Sequence, residues 1–138
     1  MNQSKIEIKG IKKSFGKKKI LDDLNLIIKQ GSSLVIIGGS GSGKSVLAKM
    51  IIGLMAPDQG SIKIDKIETV NMRQKERFVL LAKCGFLFQN GGLFDSLSVQ
   101  DNITFSAKRI LNLSKKEEVD LATEKLHQVG LEIGRAHV

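Results

Sequence analysis

Eight consecutive residues combine glycines, serines and one lysine at the spacing of a phosphate-binding loop, G-x-x-x-x-G-K-[ST]. They are Gly38, Gly39, Ser40, Gly41, Ser42, Gly43, Lys44 and Ser45. Glycines let the backbone turn so that successive N–H groups point inward at an anion. The lysine supplies a point charge for the terminal phosphates, and the serine hydroxyl suits Mg²⁺. The pattern therefore predicts a site for the phosphate chain of a nucleotide.

The residues on either side of the loop predict the elements that must position it. Residues 34–37 (LVII) form a continuous apolar run, typical of a central strand covered on both faces. After the loop, four apolar residues recur at helical spacing: Leu47, Met50, Ile51 and Leu54. A helix that begins where the loop ends adds the partial positive charge of its N-terminus to the anion site.

Further strand patterns lie before and after this unit. Residues 6–8 and 24–28 alternate polar and apolar side chains, as half-buried antiparallel strands do. Residues 57–60 have the composition of a turn, and residues 62–64 alternate again. Residues 84–88 predict a second buried strand.

Three helices are expected in the second half of the chain. Residues 72–83 predict a charged amphipathic helix, and Ser98 with Asp101 predicts the capped start of another. Ser114 and Glu117 form a capping box for the last helix. The predicted apolar face and C-terminal stop of that helix are Val119, Ala122, Leu126, Val129 and Gly130.

Composition excludes several classes of protein. The 138 residues are 41% hydrophobic and 26% charged, which is ordinary for one globular domain. No apolar run approaches the ~20 residues of a membrane span. The start of the chain does not have the pattern of a signal peptide, and Cys84 is the single cysteine, so a reducing compartment is expected.

The net charge of +8 is concentrated near the N-terminus, where the first thirty residues hold eight lysines and three acidic residues. Nucleic-acid surfaces usually add aromatic residues or arginine to such a charge, and this chain has no Trp or Tyr. A solvated lysine-rich edge is therefore favoured, and a polyanion or an anionic membrane surface is the alternative.

Several motifs in order resemble one family, the ATP-binding subunits of ABC transporters. The loop GGSGSGKS is similar to the phosphate loop of that family, and residues 53–65 (GLMAPDQGSIKID) are similar to its return into the sheet. Phe88-Gln89 stands where the family has its Q-loop. The resemblance implies an α/β fold: a P-loop NTPase core with an antiparallel β subdomain and the beginning of an α-helical subdomain.

The same resemblance implies the division of the chain. Residues 1–32 are expected to form the β subdomain strands and the loop of the adenine-binding aromatic residue. Residues 33–89 are expected to form the core from P-loop to Q-loop, and residues 90–131 the start of the helical subdomain. Residues 132–138 are expected to be a non-native tail, because Ile133–Val138 is what the opening bases of a common sequencing-library adapter encode.

Individual roles are carried over by position. Phe15 is implied to stack on adenine, with a core phenylalanine as the alternative. Lys44 and Gln89 are implied to be catalytic, and Ser45 and Gln89 to contact Mg²⁺; a polar strand end is the alternative for Gln89. Val46 stands where the family often has Thr, so a hydroxyl contact to phosphate is lost and weaker affinity is expected.

Residues 86–103 (FLFQNGGLFDSLSVQDNI) resemble the Mla/Mce-associated branch, which moves phospholipid or other lipids. Leu93, Phe94 and Leu97 are implied to face the membrane permease, with a place in the core of the helical subdomain as the alternative. The resemblance further implies ATP and Mg²⁺ as cofactors, and a second ATP-binding subunit and an integral membrane permease as partners. It implies no nucleic acid, and a cytoplasmic location on the inner face of the cytoplasmic membrane.

No residues in the chain match the family's signature motif, Walker B strand or switch histidine. This chain alone is therefore expected not to hydrolyse ATP, although the intact parent is expected to be an ATPase. The sequence is compatible with two other interpretations of function. One is a small soluble P-loop NTPase or kinase, and the other is a non-catalytic fragment that binds polyanions or a membrane surface.

Overall fold

The computed structural model describes residues 3–89 and 91–132. The chain divides into two compact units, the first ending at Cys84 and the second beginning at Gly85. Apart from Glu132, the predicted non-native tail lies outside the described residues. Within the described ranges, none of the helices combines the length and hydrophobicity of a bilayer span.

The first unit is built on an antiparallel sheet of four strands. In chain order they are β1 (Ser4–Phe15), β2 (Lys18–Lys29), β3 (Gln59–Ile64) and β4 (Ile67–Glu68). Their order across the sheet is β2-β1-β3-β4. The predicted antiparallel strands are confirmed, since strand β1 pairs with both β2 and β3. A register shift between Ile8 and Ile11 interrupts the alternation, so that both are buried on one face.

Helix α1 (Lys44–Ile51) packs on this face of the sheet and completes the core. The buried cluster consists of Ile8, Ile11, Leu47, Met50 and Ile62. Helix α2 (Gln74–Leu81) confirms a helix within the segment expected over 72–83, but its apolar side chains do not share one buried face, since Leu80 is buried and Phe78 and Val79 are exposed. Each fully buried aliphatic side chain contributes about 1.5–3 kcal/mol, so this small cluster holds the loop before α1 against the sheet.

Two expected strands are absent from the described residues. Residues 34–37 and 84–88 form no ladder, and their apolar side chains are exposed, Val35 by 79%, Ile37 by 91% and Leu87 by 83%. A strand is stabilised only by a neighbour that pairs with it, and no described segment provides one for either run. The prediction of two buried strands, including the one leading into the phosphate loop, is therefore wrong for this structure.

The second unit contains α3 (Val99–Leu111) and α4 (Lys115–Gln128). Both predicted caps are confirmed, because the Ser98 side chain accepts a bond from the Asp101 N–H and Ser114 forms a capping box with Glu117. Lys108 of α3 forms ion pairs of 2.8 Å with Asp101 and with Glu118 of α4. The expected apolar face of α4 is only half confirmed: Ala122 and Leu126 are buried, whereas Val119 and Val129 are exposed.

Candidate functional site

The N-terminus of α1 is the one described helix start that combines a glycine loop with open N–H groups. Its N-cap is Gly43, with no side-chain cap and no acidic residue in the first turn. Helices α3 and α4, in contrast, have serine caps and acidic first turns. The first N–H groups of a helix have no partner within it, so those of Lys44, Ser45 and Val46 are available to an anion. This arrangement supports the predicted phosphate site.

Two glycines of the loop have a left-handed backbone conformation, and one of them is also closely packed. Gly43 has φ +95°, and a Cβ there would lie 2.9 Å from Ile20 Cγ2 and 3.0 Å from Leu21 Cδ2. Gly41 has φ +76° but faces open space. Strand β2 therefore packs directly on the end of the loop, and only glycine fits at position 43.

Lys44 folds back over the loop that precedes it. Its ammonium donates to the carbonyl oxygens of Gly38 at 2.6 Å and Gly39 at 2.7 Å, and to Ser42 Oγ at 3.3 Å. These bonds hold the charge at the loop, where a phosphate chain cradled by the N–H groups would meet it.

Ser45 and Val46 occupy the first turn of α1 on different sides. Ser45 is exposed, so its hydroxyl is accessible to a phosphate-bound metal ion. Val46 is half-buried and packs against the core cluster. The valine that stands where the family often has threonine thus has a packing role that the sequence did not indicate. Its backbone N–H stays at the loop.

A cleft of about 220 Å³ lies beside the loop. One wall is formed by residues 41–46, and the other by Lys18 and Ile20 of strand β2. The charge pattern of the sequence predicted Lys18 to lie on a solvated edge, and no sequence motif indicated a role for Ile20. The signal that identifies them is tertiary, namely the contact of Gly43 with β2.

Phe15 ends strand β1 and pairs across the hairpin with Lys18. Its side chain is 48% exposed, which disfavours the alternative of a core phenylalanine. The Lys13 ammonium lies over the ring, 5.6 Å from its centroid. Phe15 does not itself line the cleft, but its cross-strand partner does.

Gln89 is an exposed residue of the second unit, which also contains Leu93, Phe94 and Leu97. The phosphate loop belongs to the first unit, so the pairing of Gln89 with the loop stays a prediction. Leu93 and Phe94 are exposed, and Leu97 is half-buried. Within the described residues no cluster of three His, Cys, Asp or Glu side chains could hold a metal ion. A metal at this site would depend on Ser45 and on the phosphates themselves.

A second, larger cavity of about 650 Å³ lies in the first unit and shares no lining residue with the cleft. Ile67, Met72, Val79 and Leu80 make much of its wall apolar. Burial would raise the pKa of its residue Glu68, but hydrogen bonds from Ser61 and from three backbone N–H groups outweigh that effect and lower the pKa. Glu68 is therefore a structural carboxylate that links strand β3 to the residues that follow β4.

Comparison with known proteins shows the family. A profile of the ABC transporter family matches residues 21–137. The chain is 41% identical over 91% of its length to a probable ribonucleotide transport ATP-binding protein, mkl, of Mycobacterium leprae, and covers 36% of that protein. It is 36% identical over 95% of its length to the intermembrane phospholipid transport system ATP-binding protein MlaF of Haemophilus influenzae, covering 50% of it.

A solved structure agrees with these relatives. The dimeric ATP-binding cassette MJ0796, in a post-hydrolysis state bound to ADP and Pi, has a TM-score of 0.81 at 30% identity, over 93% of this chain and 58% of that one. This chain spans between a third and a half of the length of the two curated relatives above. The fold, the loop and the matched profile together show that the chain belongs to the family of ABC transporter ATP-binding proteins.

Proposed function

We propose that this chain is the nucleotide-binding part of an ABC transporter ATP-binding subunit and holds Mg·ATP in the cleft beside α1. The observation that carries the proposal is the uncapped N-terminus of α1, preceded by the glycine loop and the returning Lys44 ammonium. A triphosphate supplies negative charge where the helix and the lysine offer positive charge.

The residues of the cleft have distinct roles in this proposal. The N–H groups of Lys44, Ser45 and Val46 bind phosphate oxygens, and the Lys44 ammonium stabilises charge on the terminal phosphates. In this proposal the exposed Ser45 hydroxyl binds Mg²⁺, and a contact of Gln89 with the metal stays a prediction. Mg²⁺ held there would neutralise part of the negative charge of the phosphate chain. Phe15 provides a flat apolar surface for the adenine ring.

The chain's basic edge supports this reading over that of a polyanion-binding fragment. Four of its lysines already form ion pairs with carboxylates: Lys5 with Asp65, Lys9 with Glu7, Lys13 with Asp58 and Lys19 with Asp22. Half of the eight lysines in the first thirty residues thus have a carboxylate partner. Lys18 differs, because it lines the cleft.

We further propose that the complete protein couples ATP hydrolysis to transport of phospholipid or another lipid. The relative MlaF is named for intermembrane phospholipid transport, whereas mkl is named for ribonucleotide transport. The segment from Phe86 to Ile103 favours the lipid branch. Exposed Leu93 and Phe94 offer apolar surface to a permease at the inner face of the membrane. A second ATP-binding subunit completes the hydrolytic site.

Binding of nucleotide by the chain tests the first proposal. Because the chain has no Trp or Tyr, a fluorescent ribose-labelled ATP is the suitable probe, with Mg²⁺ present. We expect saturable binding that Lys44→Met weakens at least tenfold. Lys49→Met, a matched change in the last turn of the same helix, should leave binding unchanged. Equal affinity in wild type and Lys44→Met would refute the assignment of the loop.

Phosphate release tests the proposal that this chain binds ATP without turning it over. We expect no release above background by the 138-residue chain at saturating Mg·ATP. Hydrolysis that Lys44→Met abolishes would show instead that the chain itself contains a complete catalytic site.

A further inference from the structure

The end of strand β1 carries a linked set of contacts, formed by Asp58, Lys13 and Phe15. The Lys13 ammonium lies 2.7 Å from Asp58 Oδ1 and 5.6 Å from the centroid of the Phe15 ring. The Lys13 side chain is only 15% exposed. A lysine held between a carboxylate and an aromatic face has lost most of its rotamer freedom and acts as a fixed element of the structure.

Asp58 is itself fixed at several points. Its Oδ2 accepts a bond of 2.7 Å from the Ser14 N–H, and its own N–H donates to the Lys12 carbonyl at 2.9 Å. The hydrogen bond from Lys13 has the largest effect on the pKa of Asp58 and lowers it, and the bond from the Ser14 N–H lowers it further. The carboxylate therefore remains charged and keeps Lys13 in place over the ring.

We propose that Lys13 is a positioning residue for nucleobase binding, because it occupies one face of the Phe15 ring and leaves the other face for a stacked base. This inference rests on the proposed function, in which Phe15 is the platform for the adenine ring. A ring held by a fixed cation loses less freedom when a base stacks on it, so pre-organisation strengthens binding. Asp58 acts one step further away, by holding Lys13.

The test compares ATP, which has a base, with inorganic tripolyphosphate, which has none, both with Mg²⁺ and by calorimetry. Lys13→Met should lower affinity for ATP about two- to fivefold, the range of a cation–π contact, and leave tripolyphosphate binding unchanged. Lys13→Arg should restore ATP binding, since a guanidinium also stacks on rings. Lys19→Met is the matched control, because Lys19 is an exposed lysine of strand β2 paired with Asp22 at 3.1 Å.

A double-mutant cycle separates positioning from simple loss of charge. In the Phe15→Ala background, Lys13→Met should have no further effect on ATP affinity. Equal losses for ATP and tripolyphosphate, or an undiminished loss in the Phe15→Ala background, would overturn the inference. So would unchanged ATP affinity in Lys13→Met.

If the proposed function is wrong, the same experiment gives results that differ from those that would overturn the role of Lys13. A wild-type chain that binds neither ligand contradicts the phosphate site itself. A Phe15→Ala variant with normal ATP affinity contradicts the role of Phe15, and with it the role of Lys13. Circular dichroism of each variant checks that the fold is retained.

Discussion

Replacement of Gly43 by alanine tests the claim that strand β2 packs directly on the end of the phosphate loop. An added Cβ meets Ile20 Cγ2 at 2.9 Å and Leu21 Cδ2 at 3.0 Å, at a backbone φ of +95°. The left-handed conformation costs alanine about 1–2 kcal/mol, and overpacking a fitted site costs about 1–3 kcal/mol. Alanine also lowers the conformational entropy of the unfolded chain, which raises the free energy of unfolding by about 0.4–1 kcal/mol. We expect Gly43→Ala to lower the free energy of unfolding by about 1–4.5 kcal/mol.

Gly41→Ala is the matched control within the same loop. Gly41 also has positive φ, +76°, but no atom lies within 4 Å of an added Cβ. Only the cost of the left-handed backbone and the smaller entropy of the unfolded chain then act on Gly41→Ala. We expect its free energy of unfolding to fall by about 0–1.5 kcal/mol. The difference between the two variants isolates the contact with β2.

Urea unfolding followed by circular dichroism at 222 nm measures both losses, since the chain has no Trp or Tyr to report by fluorescence. With an m-value of about 2 kcal/mol per M, the middle of the range expected for Gly43→Ala lowers the urea midpoint by roughly 1 M. Affinity for ATP should fall as well, because the start of α1 must shift away from Ile20. Equal midpoints for the two variants would refute the reasoning.

Two further predictions follow from the cleft and from the cap of α4. Lys18→Glu reverses a charge on the cleft wall and should weaken ATP binding in direct titration. Lys17→Glu, in the neighbouring turn, should weaken it much less. Equal effects of the two variants would mean that only the net charge of the chain matters. Hydrogen bonds from the hydroxyl and then the N–H of Ser114 lower the pKa of Glu117, so its stabilisation is present above its unfolded pKa and is lost as the pH falls through its folded pKa. Glu117→Ala should therefore lower the urea midpoint at neutral pH and approach the wild type in acid, and a difference that persists in acid would contradict this.

The local features of the chain were readable from the sequence. The phosphate loop, the caps at Ser98 and Ser114 and the alternation of β1 and β3 depend on residues a few positions apart. Such patterns have a physical cause within one turn or one strand, such as a missing N–H partner or a buried face. For that reason the sequence predicted where α1 begins.

Only the tertiary structure decided which distant segments meet. The runs at 34–37 and 84–88 have the composition of buried strands, yet pairing depends on a neighbour and not on composition, and no described segment pairs with them. In the same way, Lys13 and Asp58 are 45 positions apart, and Lys18 lines a cleft with a loop more than twenty residues later. Sequence alone determined which residue types stand in the loop from Gly38 to Ser45, whereas the walls of its cleft and the contacts that hold Phe15 arise from packing between segments that no local pattern connects.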